Sequence, residues 1–219
     1  KVNITGGEYI KLDRNDITNA SIGLYASNVK DLLVRYNTIS TVAAGLVLEG
    51  ANLDAEVSNN QFLNIYHNSE NNFGMRFVGT GINNPLGVKV YNNTINGINS
   101  GASSVAIAFN NISGIDIAHN TVYMFKRSGQ TTNTNSSVLL EEVVGNSKVS
   151  VRNNIFYNDL SGGVNGIFAS PNTTSNPFDL LDNNIYFARS AFRGLITGAS
   201  PQNFNAWKAF VAGAGAGKN

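Results

Sequence analysis

Three side chains are the strongest candidates for chemistry in this sequence: Arg76, His67 and Lys126. Removal of a proton next to a carboxylate, the first step of a β-elimination, needs a base and a cation that neutralises the carboxylate. His67 or Lys126 can act as the base, and the guanidinium group of Arg76 can bind the carboxylate. We therefore predict catalytic roles for these three residues.

A second group of residues has the types that bind a sugar chain. Aromatic rings would stack on pyranose faces, and basic side chains would bind uronate carboxylates. Paired carboxylates could instead hydrolyse a glycosidic bond if they lay about 5 to 9.5 Å apart. The predicted substrate-binding residues are Glu49, Tyr66, Tyr123, Arg127, Glu141 and Phe168. Glu141 and Glu142 could bind a calcium ion. No other metal and no cofactor is expected.

Structural explanations are open for several of these residues. The outward column that contains Arg76 is mostly apolar, so a covering loop or domain could pack on it. Lys126 and Arg127 could form a solvated loop tip. His119 takes the place that Asn holds in other copies of the repeat described below, which favours a structural role.

The composition favours a turn-rich fold without long helices. The chain has 219 residues with 35 Asn and 22 Gly, two residue types that tolerate left-handed backbone conformations. A net charge of +1 without a basic cluster predicts no nucleic-acid partner. No apolar run is long enough to span a membrane. The absence of Cys excludes disulfides and thiolate metal sites.

An Asn-centred motif recurs seven times, as in Leu12–Ile17 and Val34–Ile39. Its aligned residues are Asn15, Asn37, Asn60, Asn93, Asn120, Asn154 and Asn184. The shortest spacing, 22 residues, suits one coil of a solenoid and is too short for a βαβ unit, which needs about 30 residues. Stacked coils about 4.8 Å apart would let each Asn side chain hydrogen-bond to the next as a ladder.

A second short strand is predicted inside each period, usually opened by Gly or Ser, as in Gly23–Ala26. Alternation with period two separates inward from outward side chains. The predicted inward column is Leu24, Leu46, Met75, Val105, Val138, Ile167 and Leu195. The outward positions include Arg76, Phe168, Glu49 and Glu141. Insertions in a solenoid usually build its binding face, and here they fall at 63–73, 80–87, 123–135 and 171–178.

The Asn-Asn-x-Ile/Phe repeat resembles that of the pectate-lyase-like parallel β-helix proteins, from about Val2 to Thr197. The tail Phe204–Phe210, with Trp207, resembles the segment that closes bacterial β-helix proteins. Repeat and resemblance together predict an all-β fold: a single-stranded right-handed parallel β-helix of about seven coils, residues 1–200, with a C-terminal capping segment, 201–219. The Asn-Thr-Asp and calcium-cluster motifs of the family's enzymes are absent, so no catalytic role is transferred.

The function predicted from these features is a carbohydrate-active protein, secreted or on the surface of a bacterial cell. It would bind an acidic polysaccharide; cleavage, as a polysaccharide lyase or a glycoside hydrolase, is left open. The alternative is a non-catalytic β-helix module of an adhesin, a tailspike or a larger extracellular protein. The abrupt start at Lys1 suggests upstream coils or domains of a longer chain as partners.

Overall fold

The structure is a computed structural model of the chain. It describes residues 1–67, 71–81, 83, 85–126, 135–142, 147–160, 164–170, 177–189, 194–196, 205 and 209. Within these ranges the chain forms twenty strands: β1 (Val2–Thr5), β2 (Lys11–Asp13), β3 (Asp16–Ser27), β4 (Leu33–Arg35), β5 (Thr38–Glu49), β6 (Glu56–Ser58), β7 (Gln61–His67), β8 (Asn72–Val78), β9 (Val88–Tyr91), β10 (Thr94–Ser100), β11 (Ser103–Asn110), β12 (Ser113–Ala118), β13 (Thr121–Met124), β14 (Asn135–Glu141), β15 (Lys148–Arg152), β16 (Ile155–Asn158), β17 (Val164–Ser170), β18 (Phe178–Asp182), β19 (Ile185–Ala188) and β20 (Gly194–Ile196).

The strands form two sheets in which each described pairing is parallel. The small sheet has the order β18-β15-β12-β9-β6-β4-β2 and contains the strand that precedes each repeated Asn. The large sheet has two branches that meet at the long strand β5: a first branch, β7-β10-β13-β16-β19, and a second branch, β8-β11-β14-β17-β20. Strands β3 and β1 extend it beyond β5. This arrangement is solenoid-like, and the prediction of an all-β fold with parallel strands is confirmed.

The repeated Asn residues lie between the small sheet and the first branch, where the chain turns. Each side-chain amide donates to the Oδ1 atom of the next repeated Asn over 2.8 to 3.0 Å. Each such Oδ1 also accepts the backbone N–H of the preceding repeated Asn over the same distances. The five inner residues are 1% exposed: Asn37, Asn60, Asn93, Asn120 and Asn154. These bonds satisfy backbone groups that the turn would otherwise bury unpaired.

The left-handed residue at this turn is the one before the repeated Asn, rather than the Asn itself. Its φ lies between 51° and 58° in all seven copies: Arg14, Tyr36, Asn59, Asn92, His119, Asn153 and Asn183. Asn adopts this conformation more readily than most residues, which explains the Asn-Asn pairs. His119 holds this backbone position, consistent with the structural role expected for it.

The core runs between the sheets and is lined by one side chain after another in register. On the second branch the aligned inward residues are Leu24, Leu46, Met75, Ile107, Leu139 and Phe168. The predicted column matches the first three of these. From β11 onward its register is wrong by one or two residues, although Val105, Val138 and Ile167, which it named there, are buried. Phe168 and Glu141 are therefore buried, and their predicted outward placement is wrong. The predicted capping segment, 201–219, lies outside the described residues except for Asn205 and Ala209.

Candidate functional site

Arg76 lies on the outer surface of β8 and is held by a carboxylate. Its Nε donates to Glu142 Oε1 at 2.9 Å and to Oε2 at 3.0 Å, and its guanidinium carbon lies 5.5 Å from the Phe73 ring centroid. Arg76 pairs in register with Ala108, whose small side chain lets the arginine reach across β11 to the end of β14. The guanidinium group predicted to bind a substrate carboxylate is thus already bound to a carboxylate of the protein.

Two predicted binding residues lie inside the molecule. Glu141 is fully buried and pairs in register with Phe109. Phe168 is fully buried, with its ring centroid 5.0 Å from that of Phe178. Phe168 is therefore a core residue whose ring packs on another ring, and Glu142 occupies the outer surface in place of Glu141. Arg127 lies outside the described residues.

Tyr66 and His67, at the end of β7, are brought together in one groove. The groove encloses about 340 Å³, and its other lining residues are Asn19, Ala20, Ser21, Thr41, Val42 and Ala43. Thr41 has a φ of 56°, a strained conformation for a β-branched residue. The groove lies where β3 and β5 bend, whereas Arg76 is on the second branch and Lys126 follows β13. The three predicted catalytic residues thus lie on separate parts of the fold, Arg76 on β8, His67 on β7 and Lys126 after β13, and their roles remain a prediction.

Tyr123 belongs to a cluster of aromatic rings on the first branch. Its ring centroid lies 4.7 Å from that of Phe125 and 4.8 Å from that of Tyr157, which stacks on Phe187 at 4.1 Å. These ring contacts compete with stacking on a sugar, although Tyr123 remains 38% exposed. Glu49, at the end of β5, is exposed and accepts a hydrogen bond from the hydroxyl of Tyr25 at 2.9 Å.

A cleft lined by several charged side chains lies on the small sheet, where the sequence predicted only a structural role for the repeat. It encloses about 290 Å³, and we call it the small-sheet cleft. It is lined by Lys89, Tyr91, Asp116, Ala118, His119 and Arg152. Ala118 pairs in register with Tyr91 on one side and Arg152 on the other. Its methyl group forms the floor between two long side chains.

The residues that line the small-sheet cleft include two cations and one carboxylate, and a second carboxylate, Glu56, lies beside the cleft in register with Lys89. Arg152 Nη2 lies 2.6 Å from Asp116 Oδ2, and each of these side chains is more than one third exposed. Lys89 and His119 are exposed. A hydrogen bond with Glu56, reinforced by partial burial, raises the pKa of Tyr91. Two cations, one carboxylate, an imidazole and a phenol thus surround Ala118, and these groups are suitable partners for the carboxylate and hydroxyl groups of a ligand.

Sequence reasoning missed this cleft because its residues lie within the repeat itself. Lys89 and Tyr91 alternate with buried Val88 and Val90, as expected for a strand with one solvated face. The signal was available: aligned copies of the motif put Tyr91, Ala118 and Arg152 in one column. The prediction placed the binding face at the insertions and gave the repeat a structural role.

Comparison with known proteins adds no family assignment. No protein-family model, curated protein or solved structure matches the chain. Among the residues that the structure describes, no group of three or more His, Asp or Glu side chains is placed to hold a metal ion. No helix within the same ranges is long and apolar enough to cross a membrane.

Proposed function

We propose that the chain is a right-handed parallel β-helix of about seven coils, similar to the pectate-lyase-like proteins, that binds an acidic polysaccharide. The parallel pairing of each strand with its counterpart one repeat away supports the β-helix. The hydrogen bonds between successive repeated Asn residues are those of an Asn ladder along its axis. A secreted or cell-surface location, with residues 201–219 as the cap, belongs to the same proposal.

The small-sheet cleft is the binding site in this proposal. The observation that carries it is the convergence of Lys89, His119 and Arg152 around Ala118. Lysine and arginine bind carboxylates through charge-assisted hydrogen bonds. Tyr91 and Asp116 add a donor and an acceptor for sugar hydroxyls. Arg76 and Arg152 are each paired with a carboxylate of the protein, and the small-sheet cleft is favoured because Lys89 and His119 line it beside that pair.

Cleavage by β-elimination is the catalytic form of this proposal. His119 would remove the proton next to the uronate carboxylate, and Arg152 or Lys89 would neutralise that carboxylate. Tyr91, whose phenol is protonated at neutral pH, would donate a proton to the oxygen that leaves as the C–O bond breaks. The non-catalytic alternative, a binding module of a surface protein, is favoured by the ion pair that holds Arg152 to Asp116 before any substrate arrives.

The test is calorimetric titration of the protein with a polyuronate and with a neutral polysaccharide. We expect binding of the polyuronate that weakens with salt, and at least a tenfold loss of affinity in Lys89→Ala and in Arg152→Gln. Lys1→Ala is the matched control, because it removes one cation from the large sheet, where Lys1 lies over Tyr25. Equal affinity in all three variants would refute the site. Ultraviolet absorbance of unsaturated products separates cleavage from binding alone.

A further inference from the structure

A second basic cluster lies on the same sheet, at its other end. The Asp13 carboxylate is 3.1 Å from Lys11 Nζ, 3.0 Å from Arg14 Nη1 and 3.4 Å from Arg35 Nε. Desolvation alone would raise the pKa of Asp13, but the Lys11 hydrogen bond and the surrounding charges outweigh it and lower the pKa. Three cations around one ionised carboxylate leave an excess of two positive charges. We call these four residues the Asp13 cluster.

An aromatic ring lies beside the Asp13 cluster. Tyr36 is 49% exposed, and the guanidinium carbons of Arg14 and Arg35 lie 5.2 and 5.9 Å from its ring centroid. Both distances are within the range of cation–π attraction. A ring with exposed surface between two arginines offers a sugar unit both a stacking surface and partners for its carboxylate.

The Asp13 cluster and the small-sheet cleft are joined by one column of aligned residues. The register passes in order through Asp13, Arg35, Ser58, Tyr91, Ala118 and Arg152. Arg35 and Arg152 are four strands apart, or about 19 Å at the usual spacing of about 4.8 Å. A pyranose unit is about as long as one strand spacing, so about five sugar units laid across the strands would span the two sites.

The surface between the two sites suits a sugar chain. Asn59 and Asn92 occupy the left-handed turn position between Tyr36 and His119 and are at least partly exposed. Their amides can donate to and accept from sugar hydroxyls. The nearest carboxylate, Glu56, accepts a hydrogen bond from Ser58 Oγ at 2.8 Å and is bonded to Tyr91. Its charge is thus partly satisfied within the protein, which reduces its repulsion of an acidic ligand.

We propose that a single acidic polysaccharide chain lies along the solenoid axis on the small sheet and contacts the small-sheet cleft and the Asp13 cluster at once. This inference rests on the proposed function and adds the orientation and the minimum length of the ligand. Binding to two sites through one chain makes the second contact intramolecular, so affinity rises steeply once the ligand spans both.

The experiment is titration with purified oligouronides of two to eight units, at constant salt. We expect the affinity of the wild-type protein to rise at least tenfold between three and six units. In Arg14→Gln/Arg35→Gln the rise should disappear, while three-unit ligands still bind through the cleft. Arg14→Gln alone should reduce the rise; its side chain is 73% exposed, so the variant should fold. Lys1→Gln is the charge-matched control and should keep the full rise.

The outcomes separate this inference from the proposed function. Binding of three-unit ligands with no rise at greater length would overturn the inference and leave the cleft as a binding site. A rise that persists in Arg14→Gln/Arg35→Gln would also overturn it. Absence of binding at every length would refute both proposals. Thermal unfolding of each variant verifies that the fold is intact.

Discussion

The side-chain amide of Asn60 donates to Asn93 Oδ1 at 3.0 Å, although 33 residues separate the two in the chain. The preceding residues of the row, Asn15, Asn37 and Asn60, are only 22 and 23 residues apart in the chain. The hydrogen bonds between their side chains are nevertheless almost the same length, 2.9 Å. The extra residues of the longer repeat thus leave the turn geometry unchanged. The insertion between β7 and β9 is accommodated away from the Asn turn, so the repeat tolerates variable loops.

Asn93→Ala should be strongly destabilising because it removes several buried hydrogen bonds together. The Asn93 amide donates to Val57 O at 2.8 Å and to Asn120 Oδ1 at 3.0 Å, and its Oδ1 accepts the backbone N–H of Asn60. Each unpaired buried group costs about 1 to 3 kcal/mol, so we expect a loss of about 3 kcal/mol or more in the free energy of unfolding in urea. Asn15→Ala is the control: that side chain is exposed at the end of the row, and an equal loss there would contradict the explanation.

His119→Asn should raise stability because the position requires left-handed backbone. His119 has a φ of 58°, and Asn adopts this region at a lower cost than most residues. We expect a gain of about 0.5 kcal/mol, and a loss of at least 1 kcal/mol for the β-branched His119→Val. Thermal unfolding measures both variants. If His119→Val were more stable than His119→Asn, side-chain contacts rather than the backbone conformation would determine which residue is most stable at this position.

The fold class was predictable from the sequence because its determinant is local and repeated. A buried Asn turn needs a left-handed residue followed by Asn, and four of the seven copies show this directly as an Asn-Asn pair, such as Asn59–Asn60. Alternation around that pair then assigns Val57 and Phe62 to the core, where both are fully buried. The parallel sheets follow, since consecutive copies of one motif pair with each other.

The register of the second strand was not predictable in the same way. The prediction aligned residues by their opening Gly or Ser, which is correct for Gly45 and Gly74. At the next aligned position the structure has Ala106, then Val138 and Ile167. The side chain at this position becomes larger from one repeat to the next. Glycine therefore no longer marks the position in β11, β14 and β17. Glu141 and Phe168 were misplaced for this reason.

The site was less predictable than the fold. Its charged residues occupy ordinary outward strand positions, and only the alignment of separate repeats places Tyr91 and Arg152 on either side of Ala118. Contacts between individual side chains could not be predicted from the sequence. Its pattern gives no reason why Arg76 should bind Glu142, 66 residues away, rather than a ligand. Sequence reasoning therefore found candidate residue types but could not assign their partners.

Gly45→Ala should be destabilising because there is no room for a methyl group. A Cβ atom at this position would lie 2.5 Å from Gly74 O and 2.6 Å from Phe62 Cδ1, and overpacking of this kind costs about 1 to 3 kcal/mol. Gly6→Ala is the comparison: nothing lies within 4 Å of its Cβ, and its φ of 69° alone should cost about 1 kcal/mol. Urea unfolding of both variants checks this, and a smaller loss at Gly45 than at Gly6 would contradict the steric explanation.

Arg76→Met should lower stability modestly and leave polyuronate binding unchanged, because Arg76 serves the fold through Glu142. The carboxylate of Glu142, with 15% of its side chain exposed, would lose its cation, at an expected cost of about 1 kcal/mol. Arg76→Met/Glu142→Gln should recover most of that loss, since no charge is left unpaired. Unfolding free energies of the two single variants and the double variant give the coupling energy. Loss of binding with unchanged stability in Arg76→Met would instead return Arg76 to the role of a substrate ligand.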